Sequence, residues 1–188
     1  MKFVDKIYNQ THEVKQSKFI AYLMPYHDYE TKLQELKNQH SKARHFVVAY
    51  RYFNEFNQIV EYSSDDGEPK GTSGKPSLFV IQGADIINSA IIIVRYFGGT
   101  KLGTGGLVRA YSDAVNLVLD DAVLLEYTQT LEKTISFEYS NTRMIDYEAS
   151  ACGISIIEKI FDAQVIYKLK ASLENMDKFL DKTQRIVK

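Results

Sequence analysis

A chain of 188 residues has room for one large domain or two small ones, and its 45% hydrophobic and 25% charged content excludes global disorder. The formal net charge of -1 excludes nucleic-acid binding by bulk charge, so any basic site must be local. The single cysteine, Cys152, excludes an intrachain disulfide, speaks against a cysteine-based zinc site and fits a reducing compartment.

The N-terminus lacks the apolar core of a signal peptide, and no segment approaches the roughly 18 apolar residues of a spanning helix. The chain therefore reads as cytoplasmic, with no membrane partner. Ser17–Leu23 is a short apolar run ended by Pro25 and predicts a strand. Asp28–His40 places Tyr29, Leu33 and Leu36 at helical spacing, with Asp28 as N-cap. Ala43–Phe53, rich in aromatic and β-branched residues, predicts a strand, Asn54–Asn57 a turn, and Gln58–Ser63 the return strand of a hairpin.

The composition then changes. Ser64–Pro76 (SDDGEPKGTSGKP) is dense in loop formers and holds two of the three prolines. Pro76 suits the start of a helix, so Ser77–Gln82 reads as a short one ended by Gly83. Ala90–Tyr96 is an almost continuous apolar strand, suited to burial on both faces. A glycine-rich turn follows over residues 97–106 (FGGTKLGTGG). Leu107–Ala122 then places Leu107, Ala110, Tyr111, Ala114, Val115 and Val118 on one apolar helical stripe, with fraying expected at Asp120 and Asp121.

Polar residues 126–130 mark the expected boundary between an N-terminal domain, 1–128, and a C-terminal domain, 129–188. Beyond it the pattern is strand Leu131–Tyr139, helix Thr142–Cys152, strands Ile154–Phe161 and Ala163–Ala171, and helix Asn175–Lys182. Arg185–Lys188 stands where a last strand would begin. This βαββα order matches the start of a ferredoxin-like βαββαβ plait. The fold class expected overall is α+β.

Eight of the ten glycines fall between Lys70 and Tyr111, among them Gly71 and Gly74. The same window holds Lys70, Lys75, Arg95, Lys101 and Arg109 against one acid, Asp85, a local charge of +4. Glycine permits turns in which successive N–H groups converge, and a loop opening a helix adds unpaired N–H groups and partial positive charge. Gly98, Gly99, Gly103, Gly105 and Gly106 leave a buried strand and enter a helix, a geometry able to hold an anion, with Lys101 and Arg109 adding charge-assisted contacts. The same glycines also suit a tight crossover with no ligand. Neither a Walker loop nor a Rossmann fingerprint is present: Thr104 follows Gly103 where the first needs Lys, and Val108 stands where the second needs glycine.

Asp65, Asp66 and Glu68 offer three carboxylates in four residues. They read as a magnesium or calcium site, as a solvated turn, or as partners of Lys70, Lys75 or Arg95 that hold the loop in shape. Ser73 lies outside any GxSxG elbow, and His12, His27, His40 and His45 lack metal-ligand spacing. Cys152 reads as a small buried residue at a helix end. Tyr50, Tyr52 and Phe53 read either as sheet core or as a face on which bases stack.

Residues 61–76 (EYSSDDGEPKGTSGKP) and 95–114 (RYFGGTKLGTGGLVRAYSDA) resemble the paired signature of the IMPACT/YigZ family, and the resemblance extends over nearly the whole chain. It implies an N-terminal domain like domain IV of elongation factor G, with its ribosomal-protein-type βαβ fold, and a C-terminal domain like the ferredoxin-like domain V of that factor. Family C-terminal domains usually run somewhat past the point where this chain stops. Eukaryotic relatives regulate translation through a partner system that is not carried over to this chain; from the fold, the resemblance implies a non-catalytic, translation-associated regulatory protein, and no cofactor or bound metal is expected. Its partner would be RNA or the ribosome, held at the basic glycine-rich loop. A protein-binding regulator contacting its partner through Ala43–Phe53 or the C-terminal sheet edge is the second expectation. An enzyme acting on an anionic small molecule, with Asp65, Asp66 or Glu68 as base or magnesium holder, is the third.

Overall fold

The structure, a computed structural model describing residues 1–187, is mixed α/β and divides into two compact units, Met1–Tyr127 and Thr128–Lys188. The first unit contains β1 (Lys2–Phe3), β2 (Tyr8–Val14), β3 (Ser17–Pro25), α1 (Tyr29–Gln39), β4 (His45–Phe53), β5 (Ile59–Ser64), α2 (Gly74–Gly83), β6 (Ser89–Tyr96), α3 (Thr104–Asp121) and β7 (Leu125–Glu126). Five strands form one antiparallel sheet in the order β2-β3-β6-β4-β5.

β6 is the central strand and is buried along nearly its whole length. Successive side chains of a strand point to opposite faces, so its apolar run serves two cores. Ile91 and Ile93 pack with Leu78 and Ile81 of α2 and with Leu107, Tyr111 and Val115 of α3. Ile92 and Val94 pack on the other face with Leu36 of α1. Each fully buried isoleucine contributes about 1.5–3 kcal/mol relative to exposure. Helices thus cover both faces of a wholly antiparallel sheet, an arrangement more familiar from parallel ones.

Several expectations are corrected by the structure. α3 begins at Thr104 rather than Leu107, so Gly105 and Gly106 belong to its first turn. α2 begins at Gly74, and Pro76 is its third residue, tolerated because first-turn N–H groups have no intrahelical acceptor. Asp28 occupies the N-cap position of α1, but its side chain makes no capping bond and lies 3.5 Å from His27 instead. β4 lies between β6 and β5, so its backbone is already paired and offers no edge to a partner. β2, β1 and β7 are additional strands; β1 and β7 pair with each other.

The second unit contains β8 (Thr130–Phe137), α4 (Thr142–Ala151), β9 (Ser155–Phe161), β10 (Val165–Ser172) and α5 (Leu173–Thr183). Its sheet has the order β8-β10-β9, antiparallel throughout. Phe137, Ile145, Tyr167, Leu169, Met176 and Phe179 form its core, with Cys152 buried beside them. Ser172 caps α5 by accepting from the Asn175 N–H. Arg185–Val187 do not form the expected strand: the N–H groups of Ile186 and Val187 both donate to the Thr183 carbonyl, a helix-terminal turn. Lys188 lies outside the described residues.

Candidate functional site

The two glycine-rich segments meet at one buried ion pair. Arg95, at the end of β6, donates from Nη1 to Glu68 Oε1. The Tyr111 hydroxyl of α3 donates to the same oxygen at 2.7 Å, and His45 Nε2 of β4 stands 4.0 Å away. Arg95, Glu68 and Tyr111 are all buried. Burial, the Glu68 charge and the hydrogen bond to it push the Tyr111 phenol far above the ordinary tyrosine range, while the Arg95 charge opposes them. Arg95 is therefore a structural cation already neutralised, not the free anion-binding cation expected.

Asp65 organises the first segment. Burial raises its pKa, but hydrogen bonds from the N–H groups of Gly71, Ser73 and Gly74 and from the Ser73 hydroxyl outweigh that and hold the carboxyl below its usual range. The Ser73 and Gly74 amides are the N-cap and first residue of α2, so an internal anion already sits at that helix N-terminus. Gly74 is required there, because a Cβ would stand 2.7 Å from the Ser64 carbonyl. Asp66 accepts from the Phe46 N–H at 2.5 Å, and its carbonyl bonds His45 Nδ1 at 2.8 Å. Asp65 and Asp66 thus use amide donors rather than Lys70 or Lys75, and only Glu68 uses Arg95. Asp65 and one oxygen of Glu68, Oε1, are engaged by internal hydrogen bonds. Among the described residues no group of three or more metal-ligating side chains converges.

The second segment is different. Gly98 lies against the β2–β3 turn, where a Cβ would overlap the Gln16 and Ser17 backbone, and its N–H donates to Ser17 Oγ at 3.1 Å. Gly99 is a left-handed turn residue of the loop that continues to Gly103, the N-cap of α3. The Gly103 carbonyl accepts from the Leu107 N–H, no side chain caps the helix, and the amides of Thr104, Gly105 and Gly106 precede that first bond. Thr104 and Gly105 are exposed. The 18-residue α3 therefore presents an uncapped, positively polarised start.

The expected cations do not converge in a single concavity. Lys101 lines a cavity of about 340 Å³ with Phe97, Leu102, Gly103 and Thr104, and Arg95 and Glu68 form part of its wall. Arg109 lines a neighbouring cavity of about 320 Å³ with His12, Lys15, Gly106 and Asp113, and the two share Leu102. Lys70 and Lys75 line a separate depression with Ser63, Asp65 and Gly71, at the start of α2. Lys70, Lys75, Lys101 and Arg109 are exposed, and none is paired with a carboxylate among the described residues. Phe97 and Lys15, which composition alone did not single out, join the α3 cavities. The one signal for Phe97 was an aromatic residue at the mouth of a glycine loop.

Tyr50 and Tyr52 pack with Tyr26, Tyr29 and Tyr62 in a half-buried cluster, the Tyr26 and Tyr52 rings stacked at 3.9 Å. Burial raises the phenols of Tyr26, Tyr29 and Tyr50 above the usual range. Phe53 stacks on Tyr127 at 5.4 Å. These rings pack largely against one another, with Tyr62 the exposed member of the cluster.

A mixed α/β protein of two units, with two signature loops locked together by a buried Arg–Glu pair, is the class that this fold and site define. The Impact N-terminal domain family matches residues 15–119, a span containing both loops. The chain belongs to the IMPACT family. It is similar to an IMPACT family member of Haemophilus influenzae, 33% identical over 173 residues covering 89% of this chain and 82% of the relative. It is also similar to the IMPACT family member YigZ of Escherichia coli, 34% identical over 160 residues covering 84% and 78%. A crystal structure of a hypothetical protein aligns over 100% of this chain and 94% of its own, with a TM-score of 0.68 and 28% identity. Among the described residues, no helix is long and apolar enough to cross a membrane.

Proposed function

We propose that this protein is a non-catalytic, translation-associated regulator that engages RNA phosphates, on the ribosome or free, at the exposed start of α3. Family membership supplies the translation context. The observation that carries the RNA reading is the contrast between two helix starts: Asp65 fills that of α2, whereas that of α3 is uncapped and flanked by unpaired Lys101 and Arg109. Backbone amides, helix polarity and two side-chain cations together suit a phosphate. Gly98, Gly99, Gly103, Gly105 and Gly106 shape the binding loop, and Lys70 and Lys75 provide a weaker secondary contact. Arg95 acts from beneath, through its pair with Glu68.

In the same reading, residues 1–128 are a domain like domain IV of elongation factor G, and residues 129–188 are a ferredoxin-like plait. The βαββα order and the strand order β8-β10-β9 support the second assignment, being the order of the first three strands of such a plait. Co-sedimentation with ribosomes at low and moderate salt tests the function. The wild-type chain is expected in the ribosomal fraction at low salt, with Lys101→Glu and Arg109→Glu depleted from it. Absence of the wild-type chain at both salts, together with no shift of labelled RNA, overturns the proposal.

A further inference from the structure

We infer, resting on the RNA reading above, that the cavity at the head of α3 takes one nucleotide of a single strand, with its base on Phe97 and its phosphate at Thr104–Gly106, so that the protein prefers single-stranded to duplex RNA. Phe97 is the first residue beyond β6 and its side chain is half exposed, at 53%. Phe97 is one of several large apolar side chains left exposed, and it lines the same cavity as Lys101 and the start of α3. The ring is anchored by Arg95, whose Cζ lies 5.9 Å from its centroid, and Arg95 is itself fixed by Glu68 and packed over Phe19 at 5.3 Å. The ring thus stands beside a side chain that Glu68 holds in place.

Phe97, Lys101, Gly103 and Thr104 line one cavity of about 340 Å³, the lower end of the size range of small-molecule sites and suited to one nucleotide rather than a helix. Arg95 lines this cavity, and its Nε is a buried donor with no hydrogen-bond acceptor among the described residues, although its Nη1 is bound to Glu68. Buried donors are almost always paired, so the orphan Nε marks the packing of this wall as incomplete.

Duplex RNA offers the α3 start only phosphates, because its bases are stacked and paired within the helix. A single strand can splay one base onto Phe97 while its phosphate meets the amides and Lys101. Stacking of one base on an aromatic side chain corresponds to about a tenfold gain in affinity.

Fluorescence anisotropy of the full chain with an end-labelled ten-nucleotide RNA, alone and annealed to its complement, tests this. The single strand is expected to bind about tenfold more tightly. Phe97→Leu is expected to abolish that advantage while leaving duplex binding unchanged, which also shows that the variant is folded; Phe97→Trp is expected to keep it. Lys101→Glu is expected to weaken both. Equal affinity for the two forms, a Phe97→Leu variant that retains the advantage, or one that loses both forms together overturns this inference alone. Failure of the wild-type chain to bind either form overturns it together with the reading on which it rests.

Discussion

Arg95 and Glu68, 27 residues apart in sequence, meet in a buried ion pair that couples the two signature segments of this fold. Glu68 lies in the loop before α2, and Arg95 lies at the end of the central strand, just before the loop that opens α3. Removing one partner leaves the other charge buried and unpaired. Glu68→Ala is expected to cost about 3–5 kcal/mol, read as a lower urea midpoint. A midpoint equal to that of the wild-type chain contradicts the structural role.

Alkaline stability reports on Tyr111. Its phenol is held far above the usual range, chiefly by burial and then by Glu68, so the native state keeps a proton that the unfolded chain releases near pH 10. The group's contribution is intact below about pH 10 and is lost as pH rises beyond it, at about 1.4 kcal/mol per pH unit. Urea midpoints between pH 8 and 11 are expected to fall steeply above pH 10, and Tyr111→Phe to make that fall shallower. An identical slope in the two proteins runs against the assignment.

The acid side reports on Asp65. Its carboxyl is held below the usual range because four donated hydrogen bonds outweigh burial, so it stabilises the fold above its unfolded value, near pH 4. That contribution disappears as pH falls through the lower native value. Asp65→Asn is expected to lose about 1–2 kcal/mol at pH 7, solvent screening limiting the loss at this half-exposed site. The gap between the two proteins should close toward pH 2–3 in acid denaturation. A gap that stays constant with pH assigns the effect to shape rather than charge.

Two glycines of the second signature segment should respond in opposite ways. Gly98→Ala places a methyl group in the Gln16–Ser17 backbone and is expected to lower stability by about 1–3 kcal/mol or more. Gly105 has open space around the same position and lies in the first turn of α3. Gly105→Ala is expected to be neutral or to stabilise by about 0.5–1 kcal/mol. Thermal unfolding of the two variants separates these outcomes.

The proposed RNA contact, through Lys101, Arg109 and the α3 amides, would involve few phosphates. The logarithm of affinity is expected to fall with the logarithm of salt at a slope of about −1.5 to −2 for a single strand, reduced by about 0.7 in Lys101→Glu. Anisotropy titrations across a salt series measure it. A slope several times steeper implies a larger basic surface than Lys101, Arg109 and the start of α3 provide.

Apolar runs and glycine placement made most regular elements legible. Ala90–Tyr96 is inside the central strand, and the stripe from Leu107 to Val118 is the buried face of α3. β2 escaped because YNQTHEV is polar and, as an edge strand, has no fully buried residue; pairing with β3 supplies what its composition does not. The start of α3 was misplaced by three residues because glycines that resemble a loop are also tolerated in a first turn, where the amides have no helical acceptors. The expected strand at Arg185 is a turn, since its backbone donors close back onto Thr183.

The pattern of residues along the chain determined the alternation of elements, the two signature segments and the coincidence of glycine with positive charge, because these depend on local periodicity and composition. Only the tertiary structure decided which charges are available. Five cations close in sequence part company in space: Arg95 turns inward to Glu68, Lys70 and Lys75 stand at a helix start that Asp65 already fills, and Lys101 and Arg109 flank one that nothing caps. The reason is physical. A charge acts on a ligand only when burial and internal pairing leave it unspent, and both are set by contacts between residues far apart in the chain.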